Sequence, residues 1–402
     1  MAVASSTGTF ESLGLGPELL RAVQVAGYER PTAVQSAAIP AVLAGRDLLA
    51  RAHTGSGKTA AFGLPLLQHL LARPRPRNVR GNSVAVLVLA PTRELVAQLA
   101  GTLEEFAESL TAELKVNAVF GGPSINPQML ALRGGADIVV ATPGRLLELR
   151  RKNAVAFDSL RALVLDEADR MLSLGFRAEL EEVLSLLPAR RQNLLFSATF
   201  PEHVTQLAHA LLREPIEVDA TQAPAERAAP NVAPDIEQHA YAVDQERKSA
   251  LLIHLLEQRD LPRVLVFVSA KKTADALARK LIGHGLRAAA FHGDKSQGAR
   301  TQALADFRSG TLRVLIATDL AARGIDIPDL PAVINFELPR SPNDYVHRIG
   351  RTGRAGRTGL ALSLICAAED PHFRVIQKRM KQSLPREEVA GFERIADGGR
   401  PQ

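Results

Sequence analysis

The sequence predicts an α/β protein with two tandem domains, each a doubly wound parallel β-sheet, joined by a flexible linker. Its length of 402 residues exceeds the ~150 residues of one typical domain. Short apolar runs rich in β-branched residues recur, each followed by turn residues and a helix-like pattern, as in repeated strand–helix units. One Ala- and Pro-rich stretch, residues 221–234, interrupts this pattern and predicts the linker.

The first half contains six apolar runs that predict strands. Their apolarity is continuous rather than alternating, which is typical of strands covered on both faces. These runs are Asp47–Ala52, Val84–Ala90, Val116–Phe120, Asp137–Ala141, Leu163–Leu165 and Asn193–Phe196. An amphipathic helix is predicted by apolar residues that share one helical face, namely Phe176, Leu180, Val183, Leu184 and Leu187.

The second half resumes the strand–helix pattern after the linker. The strands predicted there are Val264–Val268, Arg287–Phe291, Val314–Thr318, Val333–Phe336 and Leu360–Ile365. We therefore expect an N-terminal domain over residues 1–220 and a C-terminal domain over residues 235–376. A short helix and tail are expected over residues 377–402.

Composition narrows the class of protein. Hydrophobic residues make up 46% of the chain and charged residues 23%, as in ordinary globular proteins. The one cysteine, Cys366, lies in an apolar run and excludes an intrachain disulfide or a cysteine metal cluster. No apolar run approaches the ~20 residues that span a bilayer, and the N-terminus lacks the features of a signal peptide. We expect a cytoplasmic protein.

The charge balance permits a polyanionic partner. The net charge is +6 and the isoelectric point is about 9.7. The chain has no Trp and only three Tyr, which argues against a large aromatic platform for bases. A nucleic acid would therefore be held mainly by its backbone.

A glycine-rich segment predicts a phosphate site. The sequence ARAHTGSGKT, Ala50–Thr59, follows a predicted strand and opens a helix near Lys58. Such a loop directs backbone N–H groups at a phosphate, while Lys58 reaches the β- and γ-phosphates and Thr59 ligates Mg²⁺. Ala52 stands where the strict pattern has its first Gly. A simple glycine-rich turn is the alternative.

An acidic segment is expected to lie beside the phosphate site and to bind the metal ion of a triphosphate. VLDEADRML, Val164–Leu172, places carboxylates directly after a buried strand. Taken alone, this acidic pattern predicts a solvated loop. Beside a triphosphate, Asp166 is expected to hold Mg²⁺, partly through water, and Glu167 to position and deprotonate the attacking water.

With this segment, the sequence resembles the DEAD-box RNA helicases, whose name Asp166, Glu167, Ala168 and Asp169 spell. The resemblance extends from Phe10 to about Gly359 through many motifs in the family's order, including GYERPTAVQ, PTREL, TPGR, SAT, HGDKSQGAR, ATDLAARGID and YVHRIGRTGRAG. It implies two RecA-like domains and an ATP hydrolase with the cofactors ATP and Mg²⁺. The nucleotide site it implies comprises Phe10, Tyr28, Gln35, Ala52, His53, Thr54, Gly55, Ser56, Gly57, Lys58, Thr59, Gly324 and Asp326.

The resemblance also implies contacts to RNA and between motifs. The implied RNA-backbone contacts are Arg93, Gly122, Thr142, Arg145, Gln297, Arg300 and Thr318. Residues that couple the ATP state to the RNA state are Asp169, Ser197, Thr199 and His347, and Ser197 or Thr199 is expected to hydrogen-bond Asp169. Two departures from the family pattern are Val96 for Ala, and Ser269–Ala270 for an Asn–Thr pair.

Three arginines of the second half, Arg348, Arg351 and Arg354, have two readings. In the first interpretation, they form a solvated basic face without a catalytic role. Opposite a triphosphate, such arginines stabilise charge on the transferring phosphoryl group. By resemblance, Arg351 and Arg354 are the arginine fingers, which together with Lys58, Asp166 and Glu167 make up the catalytic set.

The division of this set between two domains predicts the mechanism. ATP and RNA would both favour closure of the domains and would each tighten binding of the other. Closure would separate short RNA duplexes locally. Two alternatives stay open: a clamp or ribonucleoprotein remodeller, and a non-enzymatic RNA-binding scaffold. The segments FESLGLGPELLRAV and REEVAGFERI are similar to the bacterial RhlE-type branch, for which ribosome-assembly or RNA-decay proteins are the expected partners.

Overall fold

The computed structural model describes residues 8–52, 55–74, 81–220, 236–322, 330–353 and 358–394. Contacts between α-carbons divide the chain into two compact units, residues 1–226 and 227–402. The predicted linker, residues 221–234, lies outside the described residues. The exact domain bounds therefore stay a prediction.

The first unit contains one parallel sheet with the order β3-β4-β2-β5-β6-β1-β7 among the described residues. Its strands are β1 (Leu48–Arg51), β2 (Val84–Leu89), β3 (Val116–Val119), β4 (Ala136–Ala141), β5 (Ala162–Leu165), β6 (Gln192–Ser197) and β7 (Ile216–Asp219). Its helices are α1 (Pro17–Val25), α2 (Ala33–Leu43), α3 (Lys58–Ala72), α4 (Arg93–Glu108), α5 (Ile125–Ala131), α6 (Pro143–Arg151), α7 (Ala168–Ser173), α8 (Arg177–Ser185) and α9 (Glu202–Leu211).

Both faces of this sheet are covered, which explains the continuous apolarity of its strands. In β2, Val86 and Val88 enter one core, whereas Leu87 and Leu89 enter the core on the opposite face. Each of these side chains is at most 3% exposed. Every residue of such a strand therefore gains from burial, by roughly 1.5–3 kcal/mol for a Val or Leu side chain.

The second unit has a second parallel sheet, with the order β10-β11-β9-β12-β13-β8-β14 among the described residues. Its strands are β8 (Ile236–Ala242), β9 (Val264–Val268), β10 (Ala288–Phe291), β11 (Val314–Thr318), β12 (Ala332–Asn335), β13 (Gly359–Ile365) and β14 (Arg386–Glu387). Its helices are α10 (Lys248–Gln258), α11 (Lys271–Gly283), α12 (Gln297–Arg308), α13 (Asp319–Ala322), α14 (Pro342–Ile349) and α15 (Asp370–Met380). In β9, Val264 and Val266 face one core and Leu265 and Phe267 the other.

The predicted α/β class with two parallel sheets is confirmed, and three strands were missed. β7 and β14 lie at sheet edges and β8 lies next to an edge, so their polar residues reach solvent and break the apolar run. Among the described residues, no helix is long and apolar enough to cross a membrane.

The prediction of a helix and tail over residues 377–402 was wrong in its bounds. Helix α15 already begins at Asp370, because Pro371 occupies its first turn and a 3₁₀ turn, Ala367–Glu369, precedes it. The segment after it does not leave the unit, since β14 pairs with β8. Asp370 anchors this segment by accepting hydrogen bonds from Arg386 at 3.0 Å and from Arg394 at 2.6 Å.

Candidate nucleotide and RNA site

The phosphate loop leaves the carboxyl end of β1 and ends at the N-terminus of α3. Gly55 and Gly57 have φ values of 82° and 90°, which L side chains rarely adopt. A Cβ added to Gly57 would lie 3.2 Å from both Cδ of Gln35 and Oγ1 of Thr32. Ala52 is fully buried and its N–H donates to the carbonyl of Ser197 at 3.0 Å, so a methyl group fits where the strict pattern has Gly. His53 and Thr54 lie outside the described residues.

Thr32 and Gln35 hold this loop from the start of α2. The Thr32 hydroxyl donates to the carbonyl of Ser56 at 2.8 Å, and Nε2 of Gln35 donates to the carbonyl of Gly57 at 3.1 Å. Oε1 of Gln35 accepts from the Thr32 N–H at 2.8 Å, which closes a capping box on α2. The Gln35 amide carries a further N–H and a further lone pair, the groups that an adenine edge requires. Sequence reasoning missed Thr32, although its T-x-x-Q spacing signals a capping box.

The two aromatic residues predicted near adenine differ in exposure. Phe10 is 3% exposed and meets Tyr28 edge-on, with ring centroids 6.4 Å apart. Tyr28 is half-buried and also packs against Phe106 at 5.9 Å. Phe10 therefore supports Tyr28 from the core, and Tyr28 presents the more accessible ring surface.

Lys58 and Asp166 form a buried ion pair. Nζ of Lys58 lies 3.1 Å from Oδ1 of Asp166, and their side chains are 6% and 3% exposed. Burial raises the pKa of the Asp166 carboxyl, and nearby Glu167 adds to this, against the opposing charge of Lys58. Burial lowers the pKa of Lys58, but the charges of Asp166 and Glu167 outweigh it, so the net shift is upward and Lys58 stays protonated. A protonated lysine is the form that binds phosphate.

Glu167 is held in an unusual backbone conformation directly after β5. Its φ is 52°, in the left-handed region, where it caps the N-terminus of α7. Its N–H donates to Oδ1 of Asp166 at 2.9 Å, and its Oε2 accepts from Nη1 of Arg170 at 2.7 Å. Sequence reasoning missed Arg170, which the three-residue spacing from Glu167 could have indicated.

Asp169, unlike Asp166 and Glu167, makes side-chain contacts with the segment Ser197–Thr199. Its Oδ2 accepts hydrogen bonds from the Thr199 hydroxyl at 2.6 Å and from the Thr199 N–H at 3.1 Å. The Asp169 N–H donates to Oγ of Ser197 at 3.3 Å, and that hydroxyl donates to the carbonyl of Thr199 at 2.7 Å. The hydrogen bond expected between these motifs is present.

Among the described residues, no group of three or more His, Cys, Asp or Glu side chains could hold a metal ion. The donors near the phosphate loop nevertheless suit Mg²⁺, which is often bound by one or two carboxylates together with phosphates and water. Asp166 supplies a buried carboxylate, and half-buried Thr59 supplies a hydroxyl in the first turn of α3.

In the first unit, the predicted RNA contacts lie beyond the carboxyl ends of β2, β3 and β4. Arg93 begins α4 and its guanidinium covers the backbone of Gly122, so that a Cβ there would lie 2.7 Å from Cζ of Arg93. Thr142 is buried and precedes α6. Arg145 is also buried and bonds Glu148 at 2.8 Å and the carbonyl of Pro123 at 3.0 Å. Its Nη1 is buried and has no hydrogen-bond partner within the described part of the chain.

In the second unit, the predicted RNA contacts gather at the carboxyl ends of β10 and β11. Thr318 ends β11 and is 7% exposed. Gln297 begins α12, and Arg300 lies one turn later with its guanidinium 4.9 Å from the centre of the Phe291 ring. Ala270 occupies the N-cap of α11 without a side-chain hydrogen bond, so the departure from Thr costs this helix roughly 1 kcal/mol.

The three arginines of the second unit differ in kind. Arg348 is 2% exposed and bonds Asp319 through Nε and Nη2 at 2.6 and 2.7 Å. Its Nη1 donates to Oδ1 of Asn335 at 3.0 Å and to the carbonyl of Glu337 at 2.6 Å. The possibility that Arg348 faces a phosphate was therefore wrong, because its donors already bind the protein. Arg351 is 6% exposed and His347 is exposed. Gly324, Asp326 and Arg354 lie outside the described residues.

Comparison with known proteins identifies the family. Residues 32–207 match the DEAD/DEAH box helicase model, and residues 247–356 match the helicase conserved C-terminal domain. The chain is 37% identical to the DEAD-box ATP-dependent RNA helicase CshA of Geobacillus kaustophilus over 395 residues, which cover 96% of this chain and 81% of that protein. It is 39% identical to DEAD-box ATP-dependent RNA helicase 28 of Arabidopsis thaliana but spans 50% of its length.

The structural comparison agrees. The structure of Saccharomyces cerevisiae Dbp5 bound to RNA and ADP BeF3 matches with a TM-score of 0.79 and 31% identity, covering 94% of this chain and 95% of that chain. These similarities do not confirm the predicted RhlE-type branch. They do show that this chain belongs to the DEAD-box ATP-dependent RNA helicases, a family of ATP-hydrolysing enzymes.

Proposed function

We propose that this chain couples RNA-stimulated ATP hydrolysis to RNA binding through the phosphate backbone and to local separation of short duplexes. The observation that carries the proposal is the buried pair of Lys58 and Asp166, with Glu167 hydrogen-bonded to Asp166 at the end of β5. Such a buried pair costs desolvation energy, and a purely structural role would be served as well by apolar residues. A polyphosphate bound at the loop gives both charges a function.

Each residue of the loop then has a task. The backbone around Gly55 and Gly57 binds phosphate oxygens, and Lys58 neutralises charge on the β- and γ-phosphates. Asp166 and Thr59 would hold Mg²⁺, which would supply further charge neutralisation on the phosphates. Glu167 orients a water molecule and accepts its proton. Gln35 bonds the adenine edge, and Tyr28 offers stacking surface with support from Phe10.

The remaining catalytic groups come from the second unit. Arg351 and Arg354 are proposed to stabilise charge on the transferring phosphoryl group, as the resemblance implies, and Gly324 and Asp326 to contact the nucleotide. His347 is assigned to coupling, together with Asp169, Ser197 and Thr199. Because the proposed catalytic residues are divided between the two units, binding of both units to one RNA should promote hydrolysis.

RNA is proposed to bind along both units without readout of base edges. Arg93, Arg145 and Arg300 supply positive charge, Thr142, Thr318 and Gln297 supply neutral hydrogen-bonding groups, and Gly122 leaves room beside its backbone for the Arg93 guanidinium. The buried Nη1 of Arg145 supports this proposal, because a phosphate oxygen would satisfy a donor that the described residues leave unpaired. The similar structure of Dbp5 is bound to RNA and ADP BeF3.

Two further assignments remain proposals. A cytoplasmic location is supported by the single cysteine and by the predicted RNA partner. Protein partners in ribosome assembly or RNA decay are supported only by the similarity to the RhlE-type branch. A role as a clamp or remodeller would use the same site, with a long lifetime on single-stranded RNA as the main output.

Steady-state ATP hydrolysis with and without single-stranded RNA, at low and moderate salt, tests the proposed function. RNA should stimulate hydrolysis in the wild type, and Glu167→Gln should lower kcat by roughly 10²- to 10⁴-fold while ATP still binds. Glu182→Gln is the matched control, because Glu182 pairs with Arg151 on the surface. If the wild type binds ATP and RNA but hydrolyses nothing, the enzymatic reading fails and the scaffold alternative replaces it.

A further inference from the structure

Arg170 contacts the carboxylate to which we assign water activation. Its Nη1 donates to Oε2 of Glu167 at 2.7 Å, and the two side chains are 14% and 5% exposed. We propose that Arg170 is a positioning residue that fixes the Glu167 carboxylate for catalysis. This inference rests on the proposed function and assigns a residue that the motif analysis did not.

The backbone of Glu167 makes such a constraint necessary. A φ of 52° costs a residue other than glycine roughly 1–2 kcal/mol, and the conformation persists only where neighbouring contacts impose it. At the near end, the Glu167 N–H is held by Oδ1 of Asp166. At the far end, Arg170 holds Oε2. Both ends of the residue are thereby fixed, and the rotations of its side chain are restricted.

The geometry of the turn explains why position 170 can do this and position 169 cannot. Glu167 and Arg170 are three residues apart at the start of α7, so their side chains lie on one side of the helix. Asp169 is directed instead to Thr199. The first two carboxylates of the motif thus stay with the phosphate loop, while the third carboxylate joins another motif.

Charge supports the same role. Lys58, Asp166, Glu167 and Arg170 form a mostly buried row of two positive and two negative groups. Removing Arg170 takes away the positive group that pairs with Glu167, and it releases the Glu167 side chain. A carboxylate can accept about four hydrogen bonds, so the contact at Oε2 is compatible with a water molecule on the same group.

Kinetics of Arg170 variants test the proposal in the full-length chain with single-stranded RNA present. Arg170→Gln should lower kcat for ATP roughly ten- to a hundredfold, because a misplaced general base loses its alignment. The KM for ATP should change less than about threefold, since Lys58 and the loop remain. Arg170→Lys should restore part of kcat, because lysine keeps the charge but lacks the planar fork of donors.

The matched control is Arg151→Gln, which removes another arginine–glutamate pair of the same unit, at 2.8 Å but on the surface. It should keep the wild-type kcat. A wild-type kcat in Arg170→Gln, or a loss explained wholly by KM, overturns the inference.

If Arg170→Gln does not fold, Arg170→Lys decides alone. A kcat below wild type at an unchanged melting temperature and KM supports the inference, and a wild-type kcat rejects it. Absence of hydrolysis by the wild-type protein would instead overturn the proposed function itself, so the two failures are distinguishable.

Discussion

Gly122 shows how a single position ties a predicted RNA contact to the backbone. Its φ is 105°, and the Arg93 guanidinium lies where its side chain would be. Gly122→Ala should therefore displace Arg93 and strain the backbone by roughly 1–2 kcal/mol. We expect weaker binding of single-stranded RNA with nearly unchanged ATP binding, because the phosphate loop is separate. Fluorescence titrations with labelled RNA and with a labelled nucleotide measure both affinities.

The neighbouring glycine supplies a control for this prediction. A Cβ at Gly121 would meet Nη2 of Arg93 at 3.9 Å, an ordinary contact, and its backbone lies outside the left-handed region. Gly121→Ala should bind RNA nearly as well as the wild type. Equal loss of RNA affinity in both variants would contradict the assigned role of Gly122.

At the scale of an element, docking of β14 against β8 should depend on pH. His239 lies on β8 with Nδ1 2.7 Å from Glu387 on β14 and Nε2 2.6 Å from Glu237. Burial lowers the pKa of His239, but the hydrogen bonds and charges of these two glutamates raise it by more than burial lowers it. The net shift of the pKa is therefore upward. Its ring also stacks on Tyr241, whose hydroxyl accepts from Arg259.

The direction of this effect follows from linkage. A raised pKa in the folded state means that the folded chain binds the proton more tightly than the unfolded chain. The stabilisation is therefore fully present below the ordinary value of 6.5 and is lost as pH rises through the higher folded pKa. We expect wild-type β14 to exchange its amide hydrogens faster at about pH 8 than at about pH 6, after correction for intrinsic exchange.

His239→Gln should abolish this pH dependence, because glutamine does not titrate. His284→Gln is the control: His284 is exposed at the end of α11 and contacts the carbonyl of Lys280 rather than a carboxylate. It should leave the exchange profile unchanged. A profile for His239→Gln that matches the wild type would refute the assignment to His239.

At the scale of the whole molecule, RNA affinity should follow the salt concentration. Arg93 and Arg145 lie in the first unit and Arg300 in the second, and each is assigned to phosphate. For single strands, the logarithm of affinity falls by about 0.7 per neutralised phosphate for each unit of the logarithm of salt concentration. Three contacts therefore predict a slope of about −2, with little preference between RNA sequences.

Replacing one arginine tests this count. Arg93→Gln should make the slope shallower by about 0.7 and weaken all RNA sequences alike, as measured by titration at several salt concentrations. Arg151→Gln again serves as the control, since Arg151 pairs with Glu182 on the surface. A strong preference for one RNA sequence would contradict binding through the backbone alone.

The sequence by itself determined the fold class and predicted most of the candidate site. Continuous apolar runs identify the strands of each sheet that are buried on both faces, because burial there depends on local composition. The spacing of glycines before Lys58 and of carboxylates after Leu165 predicts a nucleotide site, because backbone geometry and ligand chemistry restrict those positions to few residue types. Such restrictions are local and can therefore be read along the chain.

Only the tertiary structure decided which polar groups meet. Asp169 and Thr199 are distant in sequence, and their hydrogen bond exists because β5 and β6 are neighbours in the sheet. Arg348 looked like its neighbours in the arginine-rich motif, yet Asp319 and Asn335 engage its donors inside the second unit. Strand β14 lacks an apolar pattern, and its place depends on pairing with β8. Such pairings depend on strand order and on partners far along the chain, which no local pattern records.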